Sequence, residues 1–294
     1  MAFKTSQLSA ISRLFSSAVF REMARKGRSG LFSRLLDESK LVEHFSMARV
    51  GDAFDAAFSV LKTGNHRDEY LYKAALTHKV LLGTHSLNTA CMINEFRVGE
   101  CKADLVILNG TSTVYEIKSE RDSLSRLGRQ TETYKKVFGR VFVIAGENHV
   151  GAVLKKTSEN IGVMKLSKRH QISVVRDAED RSDRICPATL FEALRTEEAK
   201  HVLSFLGASI PSLPNTIVRE ELRKRFVLFH PTDLHFAMVE TLKRTRNLLP
   251  LSDLVKSLPF SLQPAALSVS VKKEQHRRLI EAVNAPLKEA LEWS

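Results

Sequence analysis

Ala103-Asp104-Leu105-Val106-Ile107-Leu108-Asn109-Gly110-Thr111-Ser112-Thr113-Val114-Tyr115-Glu116-Ile117-Lys118 is the stretch on which the reading of this chain turns. After Ala103 comes an acid, Asp104, and then four apolar residues lead to Asn109-Gly110, a dipeptide that favours tight hairpins because both residues tolerate positive φ. The segment Thr113 to Lys118 is then the return strand, antiparallel to the first. Residues two apart on a strand share a face, about 6.6–7 Å apart. Glu116 and Lys118 therefore share a face with Val114, while Tyr115 and Ile117 take the opposite face. Two opposite charges at the end of an otherwise apolar strand are expensive to bury unless they serve a purpose. The antiparallel register brings Asp104, another acid on an apolar strand, toward the same end of the hairpin.

Working outward, Cys91 to Val98 reads as a preceding strand. A charged helix is expected from about Glu120 to Phe138, with Leu124, Leu127, Thr131, Tyr134 and Phe138 on one face. Arg140 to Ala145 reads as a buried strand, followed by a helix near 147–159 and strands near 162–167 and 171–176. Upstream, residues 5–62 are helical, and Asn65 is placed to cap a helix over 66–82, with Asp68 and Glu69 in its first turn. Downstream of the charged break Asp177 to Arg184, helices are expected over Pro187–Leu206, Val218–Phe229, Pro231–Thr245 and Lys272–Trp293, with prolines between them. The fold class is α/β, a central mixed β-sheet flanked by helices with further N- and C-terminal helical segments. The expected division is 1–62, 63–180 and 181–294.

The 294-residue chain is 43% hydrophobic and 27% charged, the composition of a globular protein with a sizeable core. No apolar run reaches the length of a membrane span. The net charge of +12 favours polyanionic partners, chiefly nucleic acid, because cations on phosphates release counterions. Cys91, Cys101 and Cys186 form no CxxC pair, which argues against structural zinc and suits a reducing cytoplasm. Residues 1–28 are basic and serine-rich like a transit peptide. They are read instead as an amphipathic helix through Leu8, Ile11, Leu14 and Phe15, because no apolar h-region or clear cleavage signal follows. The histidines show no metal-ligand spacing. There is no GxxxxGK[ST] loop and no arrangement for covalent catalysis.

Phosphodiester hydrolysis calls for a divalent cation that neutralises phosphate charge and activates water. Mg²⁺ takes one or two carboxylates plus water and phosphate oxygens. Asp104 and Glu116 can be those carboxylates, the carbonyl of Ile117 a third oxygen, and Lys118 the group that stabilises charge or orients water.

Asp104, eleven intervening residues and then Glu116-Ile117-Lys118 after a hairpin resemble the PD-(D/E)xK nuclease superfamily, with Ala103 in place of the usual proline. Gln130-Thr131-Glu132-Thr133-Tyr134 resembles the Q-x-x-x-Y motif of RecB-type nucleases, in which the Gln and Tyr line the active site beside the Lys. Glu69 matches the helix glutamate that completes the metal shell in many members, and equally reads as a first-turn acid serving the helix dipole. Glu95 is its rival, or a solvated strand acid. The run Tyr115 to Asp122, with Arg126 and Gln130, also looks like a little-studied bacterial subgroup of genomes and mobile elements. The resemblance covers about residues 65–150. It implies a restriction-endonuclease-like sheet and a Mg²⁺-dependent deoxyribonuclease, with Mn²⁺ able to substitute, in defence, repair or mobile-element biology.

Arg121, Arg126, Arg129 and Lys135 are the candidates for tracking a DNA backbone, joined by Lys136. As a solvated face they would instead make pairs such as Glu132–Lys136. Lys272 to Arg278 is a further basic stretch that can add to a nucleic-acid surface. The alternative reading is a catalytically silent or partner-activated DNA- or protein-binding module on the same fold. A protein partner on the helical flanks and a homodimer both stay open.

Overall fold

The structure, a computed structural model, describes residues 3–63 and 67–294, with backbone alone at 215 and 216. Five helices come first: α1 (Thr5–Leu14), α2 (Ser17–Lys26), α3 (Gly30–Ser39), α4 (Val50–Thr63) and α5 (Glu69–Leu76). A π-helical turn, Thr77–Leu81, leads into α6 (Leu82–Thr84). Strands β1 (Cys91–Val98), β2 (Cys101–Asn109) and β3 (Thr111–Lys118) follow, then α7 (Leu127–Tyr134), β4 (Arg140–Gly146), α8 (Val150–Lys156), β5 (Gly162–Leu166) and β6 (Ile172–Arg176). The chain ends in α9 (Pro187–Ala193), α10 (Thr196–Phe205), α11 (Asn215–Phe226), α12 (Pro231–Thr245), α13 (Ser252–Ser257), α14 (Gln263–Ser268), α15 (His276–Asn284) and α16 (Leu287–Ala290).

The chain divides into two compact units. The first comprises Met1–His78, Lys168–His170 and Leu249–Ser294; the second, Lys79–Ser167 and Gln171–Leu248. These boundaries differ from the expected division at 62/63 and 180/181. The charged stretch 177–184 looks like a linker, yet the helices beyond it carry the apolar stripes that cover the sheet. Phe191, Leu203, Phe226 and Met238 are fully buried in one cluster with Val106, Val114 and Val143.

In the first unit, helices from the two ends of the chain share one core. Phe32 lies between Phe54 and Trp293, with ring centroids 5.2 and 5.9 Å away. The backbone N–H of Leu287 donates to the carbonyl of Ala48 at 2.8 Å. Helix α5 begins later than expected, because Asp68 is its cap and accepts from the backbone N–H of Leu71 at 3.2 Å. The expected cap Asn65 lies outside the described residues. The helix expected over Lys272–Trp293 is split into α15 and α16, since Pro286 lacks an N–H and bars the residue before it from helical geometry.

The second unit is built on a six-stranded sheet in the order β1-β2-β3-β4-β5-β6. β1, β2 and β3 form an antiparallel meander, β3, β4 and β5 run parallel, and β6 returns antiparallel. This is the mixed α/β class expected from sequence. Helices α7 and α8 make the crossovers that parallel neighbours require. The hairpin is tighter than a two-residue turn: Asn109 pairs with Thr111, leaving Gly110 alone at the tip with φ 67°. A residue with a Cβ is strained there.

β5 begins with Gly162, which pairs with Phe142 of β4. A Cβ at Gly162 would overlap the Phe142 ring and lie 2.9 Å from the Cβ of Ala178. That ring is buried and stacks on Tyr115 at 5.6 Å, so it can give way only by disturbing the packing around it. Gly162→Ala is expected to destabilise the protein by about 1–3 kcal/mol, the range for overpacked cores, as read by urea unfolding.

Candidate active site

β3 delivers Glu116 and Lys118 onto the sheet face that α7 covers. Both are buried, at 1% and 6% exposure. Lys118 Nζ donates to Glu116 Oε1 at 2.8 Å and to Gln130 Oε1 at 3.1 Å. Gln130 Nε2 donates to Glu116 Oε1 at 2.5 Å, and the Tyr134 hydroxyl donates to Glu116 Oε2 at 2.9 Å. Gln130 and Tyr134 are four apart on α7, hence on one helix face, and both reach the same carboxylate. Burial, reinforced by the neighbouring Glu116, pushes the Tyr134 hydroxyl well above its ordinary range. Tyr134 therefore keeps its proton and serves as a donor.

Asp104 enters from β2. One step beyond the Leu105–Tyr115 pair, the register sets it opposite Glu116. Its Oδ2 accepts the backbone N–H of Ile117 at 2.7 Å. A local irregularity accompanies this placement. Glu95, across β1 from Asp104, has φ 57°, and that pair is skipped in an otherwise continuous ladder. The residues in the main core cluster change parity there, from Cys91 and Ile93 to Phe96 and Val98 in β1, and from Cys101 and Ala103 to Val106 and Leu108 in β2. Bulge-like breaks of this kind re-aim side chains.

The structure thus brings together Asp104, Glu116, the Ile117 backbone, Lys118, Gln130 and Tyr134. Glu69 belongs to the first unit, where it pairs with Lys73 at 2.6 Å. Glu95 is exposed and pairs with Lys102 at 3.1 Å, because its left-handed backbone turns it from the core face. Among the cationic candidates, Arg121 and Arg126 are exposed, Arg129 pairs with Glu100 at 3.3 Å, and Lys135 donates to Ser158 Oγ at 2.7 Å and to Glu132. Lys135 takes the place expected for Lys136 beside Glu132.

The helix expected from Glu120 starts only at Leu127. The Ser119 N–H and hydroxyl each donate to Asp122 Oδ2 at 2.7 Å, and this side-chain turn competes with helix formation. Its signal was a Ser and an Asp three apart directly after the charged strand.

A second buried polar cluster went unrecognised in the sequence, where His235 reads as an ordinary residue. Nε2 of His235 lies 2.8 Å from the Ser112 hydroxyl and accepts the Ser112 backbone N–H at 3.2 Å. The Gly139 N–H donates to the same hydroxyl at 3.0 Å. Burial lowers the pKa of His235, opposed by Asp180, so the ring is neutral. The unfolded chain binds the extra proton below about pH 6.5. Stability contributed by this histidine is complete above that pH and is lost as pH falls below it. His235→Gln, which keeps an acceptor, is expected to flatten the decline in Tm between about pH 6.5 and 5.

For a divalent cation, the test is the donor set. Among the described residues no group of three or more His, Cys, Asp or Glu comes together. Two carboxylates on neighbouring strands suffice for Mg²⁺ completed by water and phosphate, though not for an all-protein cage.

Comparison with known proteins places the cluster in a family. Over 120 residues the chain is 32% identical to protein cII of Enterobacteria phage P4, an alignment spanning 40% of this chain and 41% of that protein. A protein of unknown function from Silicibacter pomeroyi superposes with a TM-score of 0.31 and 18% identity, over 46% of this chain and 88% of the other. The model of the bacteriophage P4 protein cII family matches residues 62–232, which include every residue of the cluster. The chain belongs to the bacteriophage P4 protein cII family.

Proposed function

We propose that the chain is a metal-dependent nuclease acting on DNA. The observation that carries this is the convergence of Lys118, Gln130 and Tyr134 on the buried Glu116, with Asp104 opposite in register. Burying a carboxylate and an ammonium is costly, and well-packed apolar residues commonly match or exceed such a pair in stability. A fold that keeps both at the end of an apolar strand has a use for them.

Asp104, Glu116 and the carbonyl of Ile117 would hold Mg²⁺ or Mn²⁺. When bound, the ion supplies charge neutralisation on the phosphate and a more acidic water. Lys118 presents its ammonium where phosphate charge develops. Gln130 fixes the Lys118 side chain, and Tyr134 holds the far oxygen of Glu116. The net charge of +12 supports a polyanionic substrate.

One observation favours a silent or partner-activated binding module instead. Both oxygens of Glu116 already accept hydrogen bonds from protein donors. Incubating the purified chain with supercoiled, linear duplex and single-stranded DNA, in Mg²⁺, Mn²⁺ or EDTA, tests the two readings. Metal-dependent cleavage lost in Asp104→Ala supports the nuclease. Tight binding with no cleavage under any condition supports the module.

A further inference from the structure

We infer a second nucleic-acid contact in the first unit, where α2 packs against α15. Two basic segments about 250 positions apart in sequence meet there. Arg21, Arg25 and Lys26 of α2 are exposed, as are Lys273, just before α15, and Arg277 and Arg278 in its first turn. The Arg278 guanidinium donates to the carbonyl of Arg25 at 3.1 Å, which joins the end of α2 to the beginning of α15.

Helix stability does not account for this surface. Arg25 and Lys26 suit the C-terminus of α2, and Arg278 caps a carbonyl there. Arg277 and Arg278, however, occupy the first turn of α15, where the helix dipole disfavours cations, and the only acid at this helical start is Glu274 in the 3-10 turn Lys273–Gln275 that leads into it. Lys273 lies just before that turn, and the end of α2 adds like charges beside it. The nearby acids offset little: Glu281 pairs with Arg277 at 3.4 Å, Glu274 lies 3.7 Å from Lys272, and Glu22 accepts from Ser29. An excess of cations held against the local electrostatics fits a polyanionic backbone as partner.

Duplex DNA is favoured over an anionic membrane because the apolar residues of both helices point inward. Val19, Phe20, Met23 and Ala24 of α2, like Leu279 and Val283 of α15, are buried, which leaves no apolar face to enter a bilayer. This surface does not depend on the nuclease reading, since contacts to phosphate position a duplex without cutting it.

The test is fluorescence anisotropy of a short labelled duplex with the full chain in EDTA, at about 50 to 200 mM salt. The quadruple variant Arg21→Gln, Lys26→Gln, Lys273→Gln, Arg277→Gln spares the Arg278 cap. It is expected to lower the slope of log K against log salt by about 2–4 and to weaken low-salt affinity at least about tenfold. Tm should change little, because relief of the unfavourable dipole contact at Arg277 offsets the favourable end charge lost with Lys26 and the Arg277–Glu281 pair. Unchanged affinity and slope would overturn the assignment. So would a variant that binds DNA normally but loses binding to vesicles of phosphatidylserine and phosphatidylcholine, which points to a membrane. Cleavage activity, present or absent, is read separately in Mg²⁺.

Discussion

Lys118→Met should lower metal-dependent DNA cleavage by about 10²–10³-fold, the loss typical when one preorganised charge-stabilising group is removed. It should also destabilise the fold, because Glu116, 1% exposed, loses its cation while Gln130 and Tyr134 remain as donors. Removing one partner of a buried pair costs about 3–5 kcal/mol, and the two remaining donors put this case near the lower end. Cleavage is therefore compared at a temperature where circular dichroism shows the variant folded. Glu116→Gln should be as inactive, and the double variant no slower than either single one, since residues acting as a unit lose activity non-additively. A folded Lys118→Met protein that cuts at the rate of the parent chain sinks the assignment.

Arg246→Met is expected to reduce stability by about 3–5 kcal/mol without touching the site. Arg246 makes a two-pronged pair with Glu198, 2.8 Å from Nε to Oε1 and 2.9 Å from Nη2 to Oε2. Its guanidinium also lies over the Phe96 ring at 5.1 Å. Glu198 is 3% exposed. Burial, the largest single influence, would raise its pKa, yet the Arg246 hydrogen bonds, the Arg195 backbone N–H and the attraction to both arginines together outweigh it and hold the group below the ordinary carboxylate range. The contribution is present above the ordinary Glu range and is lost as pH falls below that range through the lowered folded value. Without Arg246 the buried carboxylate loses its paired cation and keeps the Arg195 backbone N–H at 2.9 Å. Urea unfolding of Arg246→Met and of Glu198→Met/Arg246→Met decides the matter, because the paired apolar replacement should recover much of the loss.

Where local chemistry dictates conformation, the sequence was legible. β1 spans Cys91–Val98 and α12 spans Pro231–Thr245, as the alternation and the helix-starting proline indicate. Glu116 and Lys118 could be grouped because strand periodicity is fixed by backbone geometry, whereas Gln130 and Tyr134 joined them only through the resemblance to the Q-x-x-x-Y motif. The left-handed backbone of Glu95 was not legible, since its cause is the pairing of β1 with β2 and not the residue itself. Nor was the cluster of Ser112 and His235, which are 123 positions apart. The Phe32–Trp293 contact that closes the first unit has no local signature either.

The order of the two units along the chain has a consequence for biogenesis. The second unit interrupts the first, whose halves end at His78 and resume at Leu249. A ribosome makes the segment holding Phe32 and Phe54 long before Leu287 and Trp293, so those rings wait through the synthesis of the whole sheet for the residues that bury them. During that interval the nascent chain offers exposed aromatic surface of the kind that chaperones engage. The sheet, encoded contiguously but for three residues, can fold first and keep the two waiting ends tethered to one body.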